Sequence, residues 1–128
     1  MSLRCIIVDD HRPFANAARL LLESEGLTVV ATASTGPEAI ALVREFELDV
    51  VILDIDLGGE SGFDVARDLI KQPAQGTTTG LPRIVLVSAH DEKDFADLIS
   101  QSGAAGFLTK SDLSAQAIRQ LLCLQKGE

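Results

Sequence analysis

Basic side chains are scarce in this chain. Eleven Lys and Arg stand against nineteen Asp and Glu, a formal charge of -8 over 128 residues. The eleven are scattered rather than gathered into a stripe, which argues against direct nucleic-acid contact, because binding a phosphate backbone needs clustered cations. Excess acid reads first as a surface that keeps a soluble protein dispersed, and second as a means of meeting a cation or a basic partner. Cysteine is nearly absent as well. Cys5 and Cys123 lie in apolar runs with no CxxC pattern and no histidine at metal-ligand spacing, which excludes a zinc or dithiol motif and reads as two buried thiols in a reducing compartment. Long apolar runs are missing too. No stretch approaches the roughly 20 residues of a membrane span, and the four apolar residues between Arg4 and Asp9 are too few for a signal peptide. The expectation is a soluble cytoplasmic protein with no membrane partner.

What is present suits one compact unit. A hydrophobic content of 46% over 128 residues is enough for a single core and leaves no room for a second, so residues 1–128 read as one domain without an interdomain linker. Short runs rich in β-branched residues recur at 3–8 (LRCIIV), 27–31 (LTVVA), 49–53 (DVVIL), 83–87 (RIVLV) and 105–108 (AGFL), and each reads as a strand. Between them, apolar residues fall at helical spacing: Phe14, Ala17, Ala18 and Leu21; Ala39, Ile40 and Val43; Phe63, Ala66 and Ile70; Phe95, Leu98 and Ile99; Leu113, Ala117, Ile118 and Leu121. Five alternations of strand and helix predict an α/β fold, a doubly wound parallel sheet with helices on both faces. Pro13 fits the first turn of helix one and Gly26 its exit. Ser34 or Thr35 with Pro37 opens helix two, and Asp112 is the expected N-cap of helix five. Residues 71–82 (KQPAQGTTTGLP) read as a surface loop.

In such a sheet the residues just past the strand C-termini collect on one edge, where ligands bind. That edge receives Asp9 and Asp10 from strand one, Asp54 and then Asp56 from strand three, Ser88 from strand four, and Thr109 and Lys110 from strand five. Three carboxylates gathered without a counter-ion repel, so a cation is expected among them. Hard oxygen donors without histidine or thiolate favour Mg²⁺. An ammonium and a hydroxyl beside them suit a phosphoryl group, with Asp54 as the nucleophile. Taken singly, Asp9 or Asp10 could equally cap helix one, Ser88 could be an ordinary strand-end residue and Lys110 a surface lysine. Their convergence from four strands on one edge favours the site.

The same residues resemble the receiver domain of two-component response regulators. IIVDDH (6–11) is similar to its acidic pair, VVILDIDLGGESGFD (50–64) to its phosphoacceptor strand and turn, IVLVSA (84–89) to its hydroxyl strand, and GAAGFLTKS (103–111) to its aromatic and lysine strand. The resemblance runs through nearly the whole chain in the family's order and implies a flavodoxin-like sheet of order 2-1-3-4-5 with five helices. It further implies that Asp54 accepts a phosphoryl group from the phosphohistidine of a sensor histidine kinase or phosphotransfer protein. Asp10 and Asp54 would ligate Mg²⁺ directly, Asp9 through water, and the main-chain carbonyl of Asp56 would add an oxygen. Lys110 would pair with the phosphoryl group, while Ser88 and Phe107 would move to switch the face of helix four, strand five and helix five, a two-state element biased by local charge.

VDDH and FLTKS look like receivers fused to a DNA-binding helix-turn-helix output domain, which would lie C-terminal to this chain. The sequence leaves open a stand-alone regulator and a phosphorylation-linked homodimer. Such a protein is a signalling phosphoacceptor that catalyses only its own phosphorylation and dephosphorylation. Departures from the family are Gly58 and Gly59 where a proline is usual, implying a looser loop, and Ser111 where a proline commonly follows the lysine. His90 reads either as a residue tuning phosphate lifetime or as an exposed helix-entry residue, and His11 reads in the same two ways. Two other functions compete. One is a receiver-like interaction module that is never phosphorylated. The other is a haloacid-dehalogenase-type phosphatase, which DIDLGG resembles, although in that family the nucleophile strand precedes the acidic pair.

Overall fold

The computed structural model describes residues 3–71, 82–90 and 92–126. Five strands, β1 (Arg4–Val8), β2 (Thr28–Ala33), β3 (Val50–Asp54), β4 (Arg83–Ser88) and β5 (Gly106–Thr109), form one sheet of order β2-β1-β3-β4-β5. Every neighbouring pair is parallel. The helices are α1 (Arg12–Ser24), α2 (Gly36–Glu45), α3 (Gly62–Lys71), α4 (Ala96–Ser102) and α5 (Ala115–Lys126). The doubly wound architecture expected from the alternation is therefore present, with strand limits displaced by one or two residues. Of the surface loop expected over 71–82, Lys71 ends α3 and Pro82 precedes β4; residues 72–81 lie outside the described set.

Strand alternation sorts the core into two layers, since successive side chains leave a strand on opposite faces. Ile6, Val8, Val51, Leu53, Ile84 and Leu86 pack on the side of α2 and α3 with Ala39, Phe63 and Leu69. Cys5, Ile7, Val50, Ile52, Val85 and Val87 face the other way, toward Ala15, Ala18 and Leu22 of α1 and Ile118 of α5. All five residues of β3 are buried. That is why its sequence is uniformly apolar until the aspartate.

The helix ends follow local chemistry, with two corrections. Thr35 caps α2, its Oγ1 accepting from Glu38 N at 3.3 Å while Glu38 Oε1 accepts from Ser34 N at 2.7 Å, a close variant of the capping box. Neither Asp9 nor Asp10 caps α1, because the N-cap position is His11. Asp112 does not cap α5 either. It lies in a 3-10 turn over Lys110–Asp112, after which Leu113 turns into the core. The helix then starts two residues later than expected, with Ser114 Oγ accepting from Ala117 N at 3.0 Å. Burying Leu113 decides the start.

The thiols also divide. Cys5 is buried, and desolvation, with the nearby charges of Glu23 and Asp49, pushes its pKa up to about 12. Cys123 is exposed, which corrects the expectation of two buried thiols. Its apolar neighbour in sequence, Leu122, is offset from it around the helix, so a short apolar run does not bury every member.

Candidate functional site

β1 and β3 lie side by side with Val8 opposite Leu53, and Asp54 is opposite Val87 of β4. The residues that end these strands therefore emerge together at the sheet's C-terminal edge. Asp9 is only 2% exposed and Asp54 only 5%, whereas Asp10 is exposed. Each buried aspartate commits one oxygen to its own loop: Asp9 Oδ1 accepts from His11 N at 2.8 Å, and Asp54 Oδ1 accepts from Asp56 N at 3.1 Å. The second oxygens face one cation. Lys110 Nζ stands 2.8 Å from Asp9 Oδ2 and 3.0 Å from Asp54 Oδ2.

Burial sets the charge balance here. Desolvation raises the Asp54 pKa above its ordinary value and the nearby charge of Asp9 adds to that. The Asp56 amide and Lys110 oppose the rise without cancelling it. For Lys110, burial works against the charged form, but the two carboxylates outweigh it and hold the pKa above the usual lysine value. Asp9 Oδ2 is wholly buried, and the Lys110 ammonium is its ion-pair partner. Asp9, Asp10 and Asp54 each offer a carboxylate oxygen, and the three lie within 4.8 Å of one another. Three hard carboxylate ligands at this spacing, two of them sharing a single ammonium, fit a small divalent cation.

The loop between β3 and α3 is pinned despite Gly58 and Gly59. Asp56 bridges Ser61, Leu57 N donates to Glu60 O at 3.1 Å, and Gly62 N donates to Ile55 O at 2.7 Å. Gly58 has φ 74°, and a Cβ there would also come within 2.9 Å of Asp10 Oδ2, so glycine meets both a backbone and a steric demand. Asp56 is exposed, and its Oδ1 accepts from Gly58 N at 3.1 Å. Ser88 is buried, its Oγ accepting from His90 N at 2.9 Å. This leaves the hydroxyl hydrogen to donate elsewhere. Asp56, Gly58, Ser88, His90 and Phe95 share a pocket of about 500 Å³ beside the acidic cluster. Phe107 is buried opposite Leu86, inside the layer that holds α3. His11 and His90 are both exposed, and the His90 ring lies 6.5 Å from that of Phe95.

The structure thus brings Asp9, Asp10, Asp54 and Lys110 together, sets Ser88 and the Asp56 backbone at their margin, and keeps Phe107 in the core behind. Two neighbours escaped sequence reasoning. Phe14, assigned only to a helix face, has its ring centroid 4.4 Å from Lys110 Nζ. Glu60, given no role, accepts a hydrogen bond from Gly36 N at 2.7 Å. Neither spacing nor periodicity signals such long-range pairs.

Comparison with known proteins agrees with this geometry. Residues 5–122 match the family model of the response regulator receiver domain. The response regulator GacA of Pseudomonas aeruginosa is 32% identical over 128 residues, covering 97% of this chain and 57% of that protein. Among solved structures, the signal receiver domain of NarL from Mycobacterium tuberculosis aligns with a TM-score of 0.79 at 30% identity, covering 99% of this chain and 98% of that one. A two-component response regulator of the LuxR family from Aurantimonas sp. SI85-9A1 gives 0.76 at 29% identity, covering 100% and 88%. The chain belongs to the response regulator receiver domain family, a signalling family of two-component systems. Membership sets aside the phosphatase resemblance of DIDLGG. The chain spans about half the length of the curated relatives it matches. Among the described residues no helix is long and apolar enough to cross a membrane.

Proposed function

We propose that residues 1–128 act as a single receiver domain in which Asp54 accepts a phosphoryl group from the phosphohistidine of a sensor histidine kinase or phosphotransfer protein. The observation that carries this reading is the Lys110 ammonium set between the Oδ2 atoms of two buried aspartates, 2.8 Å from Asp9 and 3.0 Å from Asp54. A cation held there balances charge before transfer and meets the incoming phosphoryl oxygens after it. A carboxylate oxygen of Asp54 forms the new bond to phosphorus as the bond from phosphorus to the donor atom breaks. Asp9, Asp10, Asp54 and the main-chain carbonyl of Asp56 would hold Mg²⁺, which when bound neutralises charge on the transferring group. The Ser88 hydroxyl, with its hydrogen uncommitted, suits a phosphoryl oxygen as acceptor.

Transfer would bias Ser88 and Phe107 toward a second arrangement and so alter the face built from α4, β5 and α5. Packing supports α4 as the mobile part. A 3-10 turn over Glu92–Asp94 precedes a helix of seven residues in which Ser102 is the sole buried member. Few buried contacts mean a low cost of rearrangement. The signal would pass to an output domain beyond this chain, of the kind that regulates transcription, or to a second copy, within the cytoplasm. The domain is then a phosphoacceptor rather than an enzyme acting on other substrates.

Intact mass after incubation with acetyl phosphate and Mg²⁺, on wild type and Asp54→Asn, tests this. One base-labile phosphate adduct on wild type alone is expected. Absence of any adduct while Mg²⁺ binds would favour a receiver-like interaction module that is never phosphorylated.

A further inference from the structure

We propose that Phe14 is a positioning residue for Lys110, holding the ammonium against the two aspartates through the face of its ring. The inference rests on the reading of Asp54 as phosphoacceptor. A lysine ammonium has three N–H bonds on a freely rotating stem, and a strongly hydrated ammonium normally spends one or more on water. At Lys110 two directions are taken by Asp9 Oδ2 at 2.8 Å and Asp54 Oδ2 at 3.0 Å. On a further side the Phe14 ring stands 4.4 Å from Nζ, centroid to nitrogen, inside the range of a cation–π contact. The Lys110 side chain is only 20% exposed.

The ring's own placement is fixed independently of the lysine. Phe14 is the third residue of α1, half-buried, and packs against the layer holding Ala15, Ala18 and Leu22. The α1 helix begins at Arg12, two residues after Asp10. One short stretch of backbone therefore sets both Asp9, one of the two carboxylates that attract the ammonium, and the aromatic ring that the ammonium stands over. A purely aliphatic side chain there would cover the stem equally well. It would offer no negative face, and the ammonium would be freer to turn toward water.

The distinction is testable with Phe14→Leu and Phe14→Tyr, the first keeping apolar bulk and the second keeping the ring. The rate of Asp54 phosphorylation by acetyl phosphate with saturating Mg²⁺ is expected to fall about two- to tenfold in Phe14→Leu, the factor a cation–π contact of ordinary strength supplies, and to return toward wild type in Phe14→Tyr. Mg²⁺ affinity should be unchanged in both, since Phe14 touches no ligand oxygen. In nuclear magnetic resonance spectra of wild type and Phe14→Tyr, the Lys110 ε-methylene protons, assigned by their loss in Lys110→Arg, should show an upfield ring-current shift that Phe14→Leu lacks. Phe14→Met repeats the comparison if Phe14→Leu does not fold. Equal rates in wild type and Phe14→Leu, or a Phe14→Tyr as slow as Phe14→Leu, would overturn the proposal and leave the phosphoacceptor reading intact. Wild type that takes no label would instead remove the reading on which the proposal rests.

Discussion

Glu60 Oε1 accepts a hydrogen bond from the Gly36 amide at 2.7 Å, so the first turn of α2 is capped from the loop that follows Asp54. A helix leaves its first amides without partners, and a carboxylate at that end is doubly favoured, by the hydrogen bond and by the helix dipole. The contact also tethers the loop that presents Asp56 and Gly58 to a helix on the same face of the sheet. Glu60→Ala is expected to destabilise the fold by about 1 kcal/mol, with Glu60→Gln retaining part of that, as read by urea unfolding. An Ala variant as stable as wild type would show that water replaces the cap without loss.

Two nearby glycines, Gly59 in this loop and Gly62 at the start of α3, differ in what they tolerate. A Cβ at Gly62 would collide with the carbonyl oxygen of Asp54 and with Ile55 Cα, both backbone atoms that cannot step aside. At Gly59 a Cβ meets nothing within 4 Å, and its φ is not positive. Gly62→Ala should therefore cost about 3 kcal/mol and displace Asp54. Gly59→Ala should stay within about 0.5 kcal/mol of wild type. Thermal unfolding of the pair decides it, and equal losses would contradict the close approach at Gly62.

The thiols give a third expectation. Cys5 is buried in β1 with a pKa pushed up to about 12, while Cys123 is exposed on α5. Since the thiolate is the reactive form, a water-soluble thiol reagent at pH 8 should modify one cysteine promptly and the second only on unfolding. Cys123→Ser should abolish the prompt reaction. Two prompt equivalents would indicate that β1 opens readily.

How far the sequence foretold this arrangement depends on whether neighbours in space are neighbours in pattern. β3 is apolar on both faces because helices cover both, and that signature is plain in VVILD. Parallel topology then carries Asp9, Asp54, Ser88 and Lys110 to a common edge, so the four strand-end residues were legible as a group. The start of α5 was not, because Asp112 and Ser114 are equally good caps by residue type and only the burial of Leu113 separates them. The exposure of Cys123 escaped for a similar reason, as a helix position inside an apolar run is sided only once the helix is docked. Phe14 and Glu60 act on residues remote in sequence, through a ring face and a single oxygen, and no periodicity records such pairs.

The raised pKa of Asp54 makes stability depend on pH in a definite direction. Desolvation is its first cause, with the charge of Asp9 behind it. A carboxyl that binds its proton more tightly in the native than in the unfolded chain loses native stability as the pH rises from its unfolded value, 3.8 here, through the higher folded one. Asp54→Asn removes the ionisation while keeping the shape, so it should be more stable than wild type at pH 7. The gap should shrink as the pH falls toward the unfolded value of 3.8, because the native carboxyl takes up its proton before the unfolded one does. Lys110 adds no pH dependence over this range, since the stability that its raised pKa reports is fully present below the ordinary lysine value of 10.5 and is lost only above it. Saturating Mg²⁺ should narrow the gap at pH 7, because a cation that binds the native aspartates stabilises wild type by mass action and the asparagine variant less. Melting temperatures of both proteins at pH 4, 5.5 and 7, with and without Mg²⁺, are the measurement. An asparagine variant less stable than wild type at pH 7 would mean that the ion pair with Lys110 outweighs desolvation, reversing the balance of charge at the centre of the site.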